Sequence, residues 1–118
     1  MAQYVDGFVI PLPKDKIEEY RKVAEVAEVV WRDHGALDYR ECVGDDLDVS
    51  FGTPFPKLLG LQPDETVVFA WITYPSREDR DRINAAVMAD PRLKCDPETM
   101  PFDCSRMSSG GFRTIVGN

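Results

Sequence analysis

The stretch Thr66-Val67-Val68-Phe69-Ala70-Trp71-Ile72-Thr73-Tyr74, followed at once by Pro75-Ser76-Arg77-Glu78-Asp79, decides the fold class of this 118-residue chain. Its first nine residues are apolar nearly throughout and rich in β-branched and aromatic types, which predicts an interior strand covered on both faces. Pro75 stops that strand. Ser76-x-x-Asp79 then reads as a capping box with aspartate in the third position, so a helix starts at Ser76, buries Ile83, Ala86 and Val87, and ends before Asp90-Pro91. A strand passing directly into a helix, late in a short chain, calls for a matching unit upstream.

That unit is present. Tyr4-Val5-Asp6-Gly7-Phe8-Val9-Ile10 has strand composition, and Pro11 with Pro13 closes it. From about Asp15 to His34, the residues Ile17, Tyr20, Ala24, Ala27, Val30, Trp31 and His34 recur at three- and four-residue spacing among Glu18, Glu19, Arg21, Lys22, Glu25 and Glu28, predicting an amphipathic helix of about five turns. Gly35 supplies the left-handed residue that commonly closes a helix. Leu37 to Val43 alternates as a second strand, with Glu41 between Tyr39 and Val43 on one side. Residues 44–64 lack a sustained period and read as a long irregular connection. A proline-bearing segment follows the second helix to about Asp103, and Arg106 to Val116 reads as a fourth strand, with Gly110-Gly111 marking a bulge or a close backbone approach.

The order is strand, helix, strand, strand, helix, strand. This is an α+β chain of ferredoxin-like βαββαβ type, an antiparallel four-stranded sheet with two helices on one face, built as a single domain over residues 1–118. Tyr39, Glu41, Phe69 and Trp71 are candidates to line one sheet face. An uncovered aromatic face is rare on a small monomer, so a second copy of the chain is expected to cover it.

Composition narrows the function classes. Hydrophobic residues make up 43%, charged 30% and aromatic 10%, and the formal charge is -7 from 14 Lys plus Arg against 21 Asp plus Glu. Such a field repels phosphate backbones and anionic lipid, so neither nucleic acid nor a membrane is an expected partner. No apolar run approaches the roughly 20 residues that span a bilayer. The start Met1-Ala2-Gln3-Tyr4-Val5-Asp6 has no basic segment or apolar signal core, which predicts a cytoplasmic protein. Cys42, Cys95 and Cys104 are odd in number and far apart, arguing against a disulfide framework and a zinc ribbon. With His34 as the sole histidine, no tetrahedral metal set is predicted and no cofactor is implied.

A family resemblance joins these readings. Tyr4-Val5-Asp6-Gly7-Phe8, Gly35-Ala36 with Glu41 and Asp45-Asp46, Phe69-Ala70-Trp71 with Tyr74-Pro75-Ser76, Arg80-Asp81 with Asn84, and Met88 with Asp90-Pro91-Arg92 resemble the YbaA-like proteins, a bacterial family of unknown function. Met100-Pro101-Phe102-Asp103, Arg106-Met107 and Gly110-Gly111-Phe112 extend the resemblance over almost the whole chain. It implies the dimeric α+β barrel, in which two ferredoxin-like subunits pack sheet against sheet. That fold also serves cofactor-free monooxygenases, isomerases, haem enzymes and ligand sensors, so it selects no reaction.

Glu41, beside apolar neighbours, is a candidate general base or ligand-polarising acid, or else the partner of a strand-end arginine such as Arg106 or Arg113. Asp6 on the first strand makes a similar case, and the two could pair if register allows. Tyr39, Trp71 and Phe69 could frame an aromatic ligand pocket, with Arg106 and Asp103 available to bind a polar group or to fasten their loop. His34 reads as a helix C-cap, and Arg77 to Arg82, alternating in sign, as a solvated face. The reading that follows is a homodimer binding a small organic molecule. Its rivals are a cofactor-independent enzyme (oxygenase, isomerase or hydrolase) acting on a small aromatic or carbonyl compound, and a ligand-free dimeric interaction or stress protein.

Overall fold

The computed structural model describes residues 2–93 and 96–117, so Cys95 lies outside the described residues. In chain order its elements are β1 (Tyr4–Pro13), α1 (Ile17–Asp33), β2 (Asp38–Val43), α2 (Phe55–Leu59), β3 (Glu65–Tyr74), α3 (Arg77–Met88) and β4 (Ser108–Arg113), with 3-10 turns over Lys14–Lys16 and Cys104–Arg106. The strands form one antiparallel sheet in the order β2-β3-β1-β4. The ferredoxin-like α+β arrangement read from the sequence is therefore the one adopted. The addition is α2, which interrupts the connection expected to be irregular. Phe55 and Pro56 open it after Pro54, where a proline's missing N–H costs nothing, and Gly60 closes it at φ 61°.

The ends of α1 and α3 follow their local chemistry. Ser76 Oγ accepts the Asp79 N–H at 3.1 Å, as a capping serine should. After His34 at the C-cap, Gly35 takes φ 115°. Its N–H reaches the Arg32 carbonyl, and the Ala36 N–H reaches that of Trp31, which satisfies the carbonyls left over at the helix end.

Register determines what each face does. Asp6 opposes Ile72, Phe8 opposes Ala70 and Ile10 opposes Val68 between β1 and β3, while Tyr39 opposes Ile72 and Glu41 opposes Ala70 between β2 and β3. These residues face α1 and α3. Beneath the helices, Leu12, Val30, Ile83 and Val87 are fully buried together with Ile10, Val68, Ile72 and Tyr74. Each such side chain contributes about 1.5–3 kcal/mol of transfer free energy. Cys42 opposes Phe69, so Phe69 and Trp71 stand on the opposite face. The single face expected to hold Tyr39, Glu41, Phe69 and Trp71 is therefore two faces. Alternation assigns parity within a strand, and only the pairing between strands relates one parity to another.

The open face carries Val5, Val9, Phe69, Trp71 and Phe112. Phe69 is 48% exposed and Phe112 61%, and the Phe69 and Trp71 rings lie 5.6 Å apart. α1 and α3 cover β3 along one side, and on the other the connection carrying α2 buries only its start, where Val67 is 3% exposed, leaving the strand open from Phe69 onward.

β1 runs through Pro11 and Pro13 rather than stopping there. Even-numbered residues turn their backbone toward β3, as the Lys14 N–H to the Asp64 carbonyl shows, and odd-numbered ones toward β4, as the Thr114 N–H to the Gln3 carbonyl shows. β4 begins at Ser108, opposite Val9. Both prolines therefore present their missing N–H to a side where no strand pairs, and the ladder with β3 loses nothing. β4 itself pairs regularly, Gly110 with Gly7 and Gly111 with Asp6. The expected feature at Gly110-Gly111 is thus a close approach and not a bulge, since a Cβ on Gly111 would lie 2.5 Å from Tyr4 Oη and 2.7 Å from Arg80 Nη2.

Charged clasps hold the ends of the segment between α3 and β4. Asp90 accepts from Arg92 Nη2 at 2.7 Å and lies 2.9 Å from His34 Nε2, while Arg92 Nη1 donates to Asp33 at 2.7 Å. At the far end Arg106 grips Glu65 through Nη1 at 2.6 Å and Nη2 at 3.0 Å. Between the clasps Met100 and Phe102 pack into the core. Bonds from Arg106 and from the Gln62 N–H hold the Glu65 carboxyl below the usual carboxylate range, and bonds from Arg92 and His34 do the same for Asp90. Both groups release their protons more readily when folded. Their stabilisation is complete above the unfolded value near pH 4 and is lost as pH falls through the lower folded values. Thermal melts between pH 7 and pH 2 should show a midpoint that drops steeply below about pH 4, and a shallower drop in Glu65→Gln with Asp90→Asn. An equal drop in the variant would remove these clasps as its cause.

Candidate functional site

Glu41 sits on the edge strand β2 with its side chain turned under α1. Tyr20, on the apolar stripe of α1, donates its phenol to Glu41 Oε1 at 2.5 Å, and Tyr39, two residues before Glu41 on the same face, donates to Oε2 at 2.7 Å. One carboxylate thus takes one phenolic proton on each oxygen. Burial, reinforced by the Glu41 charge, pushes both phenols well above their ordinary titration range. They remain protonated donors at any physiological pH.

The trio stands between two cavities. A larger one, about 360 Å³, lies between α1 and β2 and is walled by Leu12, Ile17, Ala24, Val43 and Val68. A smaller one of about 140 Å³ runs deeper against the sheet, between Phe8, Ala70 and Ile72 on one side and Ala27 and Trp31 on the other, with Leu93, Met100 and Phe102 closing it. Tyr20, Ala24, Tyr39, Arg40 and Glu41 line both. The larger volume falls within the range of small-molecule sites, which pair apolar walls with a few fixed polar groups.

Asp6 belongs to a different cluster. It is 5% exposed, and Arg80 of α3 reaches it through Nε at 3.0 and 3.1 Å and Nη2 at 2.9 Å. Tyr74 Oη donates to Asp6 Oδ2 at 3.0 Å, and Asn84 Nδ2 donates to the same oxygen at 3.2 Å. Asn84 Oδ1 in turn accepts from Trp31 Nε1 at 3.0 Å. The Arg80 guanidinium also lies 5.2 Å above the Tyr4 ring. This cluster ties β1, β3, α1 and α3 together, and Asp6 lines neither of the two cavities beside Glu41. β3 lies between the strands that carry Asp6 and Glu41, and the two do not meet.

The remaining sequence candidates disperse. Phe69 and Trp71 are on the open face, away from Glu41. Arg106 pairs with Glu65 instead of Glu41 or Asp103, and Asp103 caps its own 3-10 turn by accepting the Ser105 N–H at 3.0 Å. Neither Arg106 nor Asp103 lines a Glu41 cavity. His34 is the C-cap of α1, as expected, with Asp90 as its partner. The alternating run Arg77 to Arg82 is mostly solvated, but Arg80 turns inward to Asp6. Sequence reasoning missed Tyr20, Tyr74 and Arg80. A signal for Tyr20 existed, because a tyrosine on the buried stripe of a helix needs a partner for its hydroxyl. Among the described residues no three His, Cys, Asp or Glu side chains converge as a metal site, and no helix is long and apolar enough to cross a membrane.

Comparison with known proteins follows the same lines. Residues 3–104 match the family described as "Protein of unknown function (DUF1428)". The Escherichia coli K12 protein titled "Uncharacterized protein YbaA" is 44% identical over 114 residues, 97% of each chain, and the Shigella flexneri protein of that title matches equally. Among solved structures, a dimeric ferredoxin-like protein from an uncultured marine organism superposes with a TM-score of 0.60 at 10% identity, covering 100% of both chains. A nipsnap family protein of unknown function from Agrobacterium tumefaciens C58 gives 0.58 at 15% identity, over 96% of this chain and 88% of its own.

The two carboxylate clusters should respond differently to truncation. Arg80→Ala strands a buried Asp6 charge and should cost about 3–5 kcal/mol. Tyr39→Phe deprives one Glu41 oxygen of its donor and should cost about 1–3 kcal/mol. Urea unfolding of both variants measures this, and an Arg80→Ala cost at or below that of Tyr39→Phe would contradict the assignment of Asp6 to the scaffold.

Proposed function

The chain belongs to the DUF1428 family, and we propose that it binds a small organic molecule in the cavities between α1 and the sheet, with Glu41, Tyr20 and Tyr39 as the polar end of the site. The observation that carries this reading is the placement of a phenol-held carboxylate at the junction of two largely apolar-walled cavities. In the same site Glu41 is the group positioned to accept a proton, should the bound molecule be turned over. The free thiols Cys42 and Cys104 suit a reducing, cytoplasmic setting.

The open face completes the proposal. Phe69, Trp71 and Phe112, with Val5 and Val9, form an apolar surface of the kind that a second copy of the chain covers. The marine structure of the same fold, described as dimeric, supports this pairing.

Two experiments test the reading. In a thermal-shift screen against a metabolite library, a ligand at 100 times its Kd should add about 2.7 kcal/mol to stability and raise the melting midpoint by several degrees. Ala24→Phe fills both cavities and should abolish the shift while melting cooperatively, with the smaller Ala24→Leu as a milder block. A library without a hit, or a hit indifferent to residue 24, overturns the cavity reading in favour of a ligand-free dimer. Sedimentation equilibrium should give twice 13.3 kDa for the wild type, and Phe112→Asp with Phe69→Asp should give the single mass. A wild-type monomer at micromolar concentration would remove the dimer.

A further inference from the structure

Carboxylates inside this protein follow a rule with one exception. Asp6, Glu28, Asp38, Glu65, Asp79 and Asp90 are buried or half-buried, and each has a cationic partner within 4.0 Å, namely Arg80, Arg32, Arg32, Arg106, Arg82 and Arg92. Glu41 is the remaining half-buried carboxylate, and it has no cationic partner among the described residues. Its two hydrogen bonds come from neutral phenols. An ionised carboxylate offers about four acceptor positions, and the phenols fill one on each oxygen.

The cations nearest the larger cavity do not supply the missing charge. Arg21 pairs with Glu18 at 3.1 Å with its side chain 61% exposed, and Arg40 pairs with Asp38 at 3.5 Å with its side chain 64% exposed. Arg40, between Tyr39 and Glu41 on the strand, lines both cavities, but its guanidinium is drawn away to Asp38. The same wall carries two further carboxylates, Glu25 and Glu28. Glu28 is held by Arg32, whereas Glu25 has no ion pair among the described residues. The polar end of the cavity thus carries Glu41, Glu25 and Glu28 beside two tyrosine rings, with Arg21 and Arg40 on the same wall engaged by Glu18 and Asp38, and the remaining wall is largely apolar.

We propose that the ligand is a small organic cation, a protonated amine bearing an apolar group, whose N–H donors take the free acceptor positions of Glu41. This rests on the cavity reading above and deepens it. A buried charge is costly unless paired and hydrogen-bonded, and an ammonium supplies both pairing and donors. The tyrosine rings add favourable faces for a cation, and the aliphatic walls take the substituent. A carboxylate ligand would meet Glu41 and Glu25 as like charges, and an alcohol would leave Glu41 without a counter-charge.

The test uses two matched sets, 2-phenylethylamine and hexylamine, each with the corresponding alcohol and carboxylate, titrated into the intact protein by calorimetry and thermal shift. The amines should bind at least tenfold more tightly than their alcohols, and the carboxylates should not bind. Glu41→Gln, nearly the same shape without the charge, should reduce amine affinity at least tenfold and leave alcohol binding unchanged. Ala24→Phe should abolish binding of every compound. If alcohols or carboxylates bind as well as amines and residue 24 controls them, the cation inference is overturned while the cavity stands. Amines that bind regardless of both substitutions would mark a surface interaction and overturn it too. If neither amine binds while the metabolite library yields a neutral or anionic ligand sensitive to Ala24→Phe, the inference again falls alone. A library without such a ligand removes both readings.

Discussion

The ten-residue ladder between β1 and β3, from Tyr4 opposite Tyr74 to Pro13 opposite Glu65, is the constraint on which the rest of the structure depends. Once those central strands pair, parity is settled for the whole sheet. Even-numbered residues of both strands go under the helices, and β2, joining β3 with Tyr39 opposite Ile72, has no choice but to send Glu41 the same way. A slip of one residue would exchange the faces entirely. The core, the phenol-held carboxylate and the open aromatic surface are therefore three results of one pairing.

Within that frame the molecule treats its two interior carboxylates in opposite ways. Asp6, in the middle of the sheet, is surrounded by donors from two elements, β3 and α3, and paired with a guanidinium, so little of it remains available to anything else. Its geometry is that of a fastener between layers. Glu41 lies one strand from the centre, at the edge, where α1 and β2 leave space beside it. It is held in place by two neutral hydroxyls and not by a cation.

Much of this was legible in the sequence, because periodicity reports on single elements. The stripe of α1, the cap at Ser76, the turn at Gly35 and the apolar run of β3 all depend on neighbours within a few positions. The order of elements then limits the topology to a familiar one. What escaped depends on relations between elements. Arg80 sits in a run of alternating charge that looks uniformly wet, yet the side of α3 that carries it rests over Asp6. Tyr39 and Glu41 share a face with each other but not with Phe69 and Trp71, and no pattern within one strand distinguishes those cases. Pro11 and Pro13 resemble terminators, and they are harmless only because β4 happens to be shorter than β1.

That last detail bears on how the protein behaves in a crowded solution. Where β4 ends, β1 continues with no strand beside it, and an unpaired border of a sheet is the kind of template that recruits strands from other molecules. Pro11, itself buried, and the half-buried Pro13 lie on that border, where their backbone offers carbonyl oxygens but no amide hydrogens at alternate positions. A ladder cannot propagate on acceptors alone. The residues that looked like stops for a strand thus also leave that end of the border a poor template for a further strand.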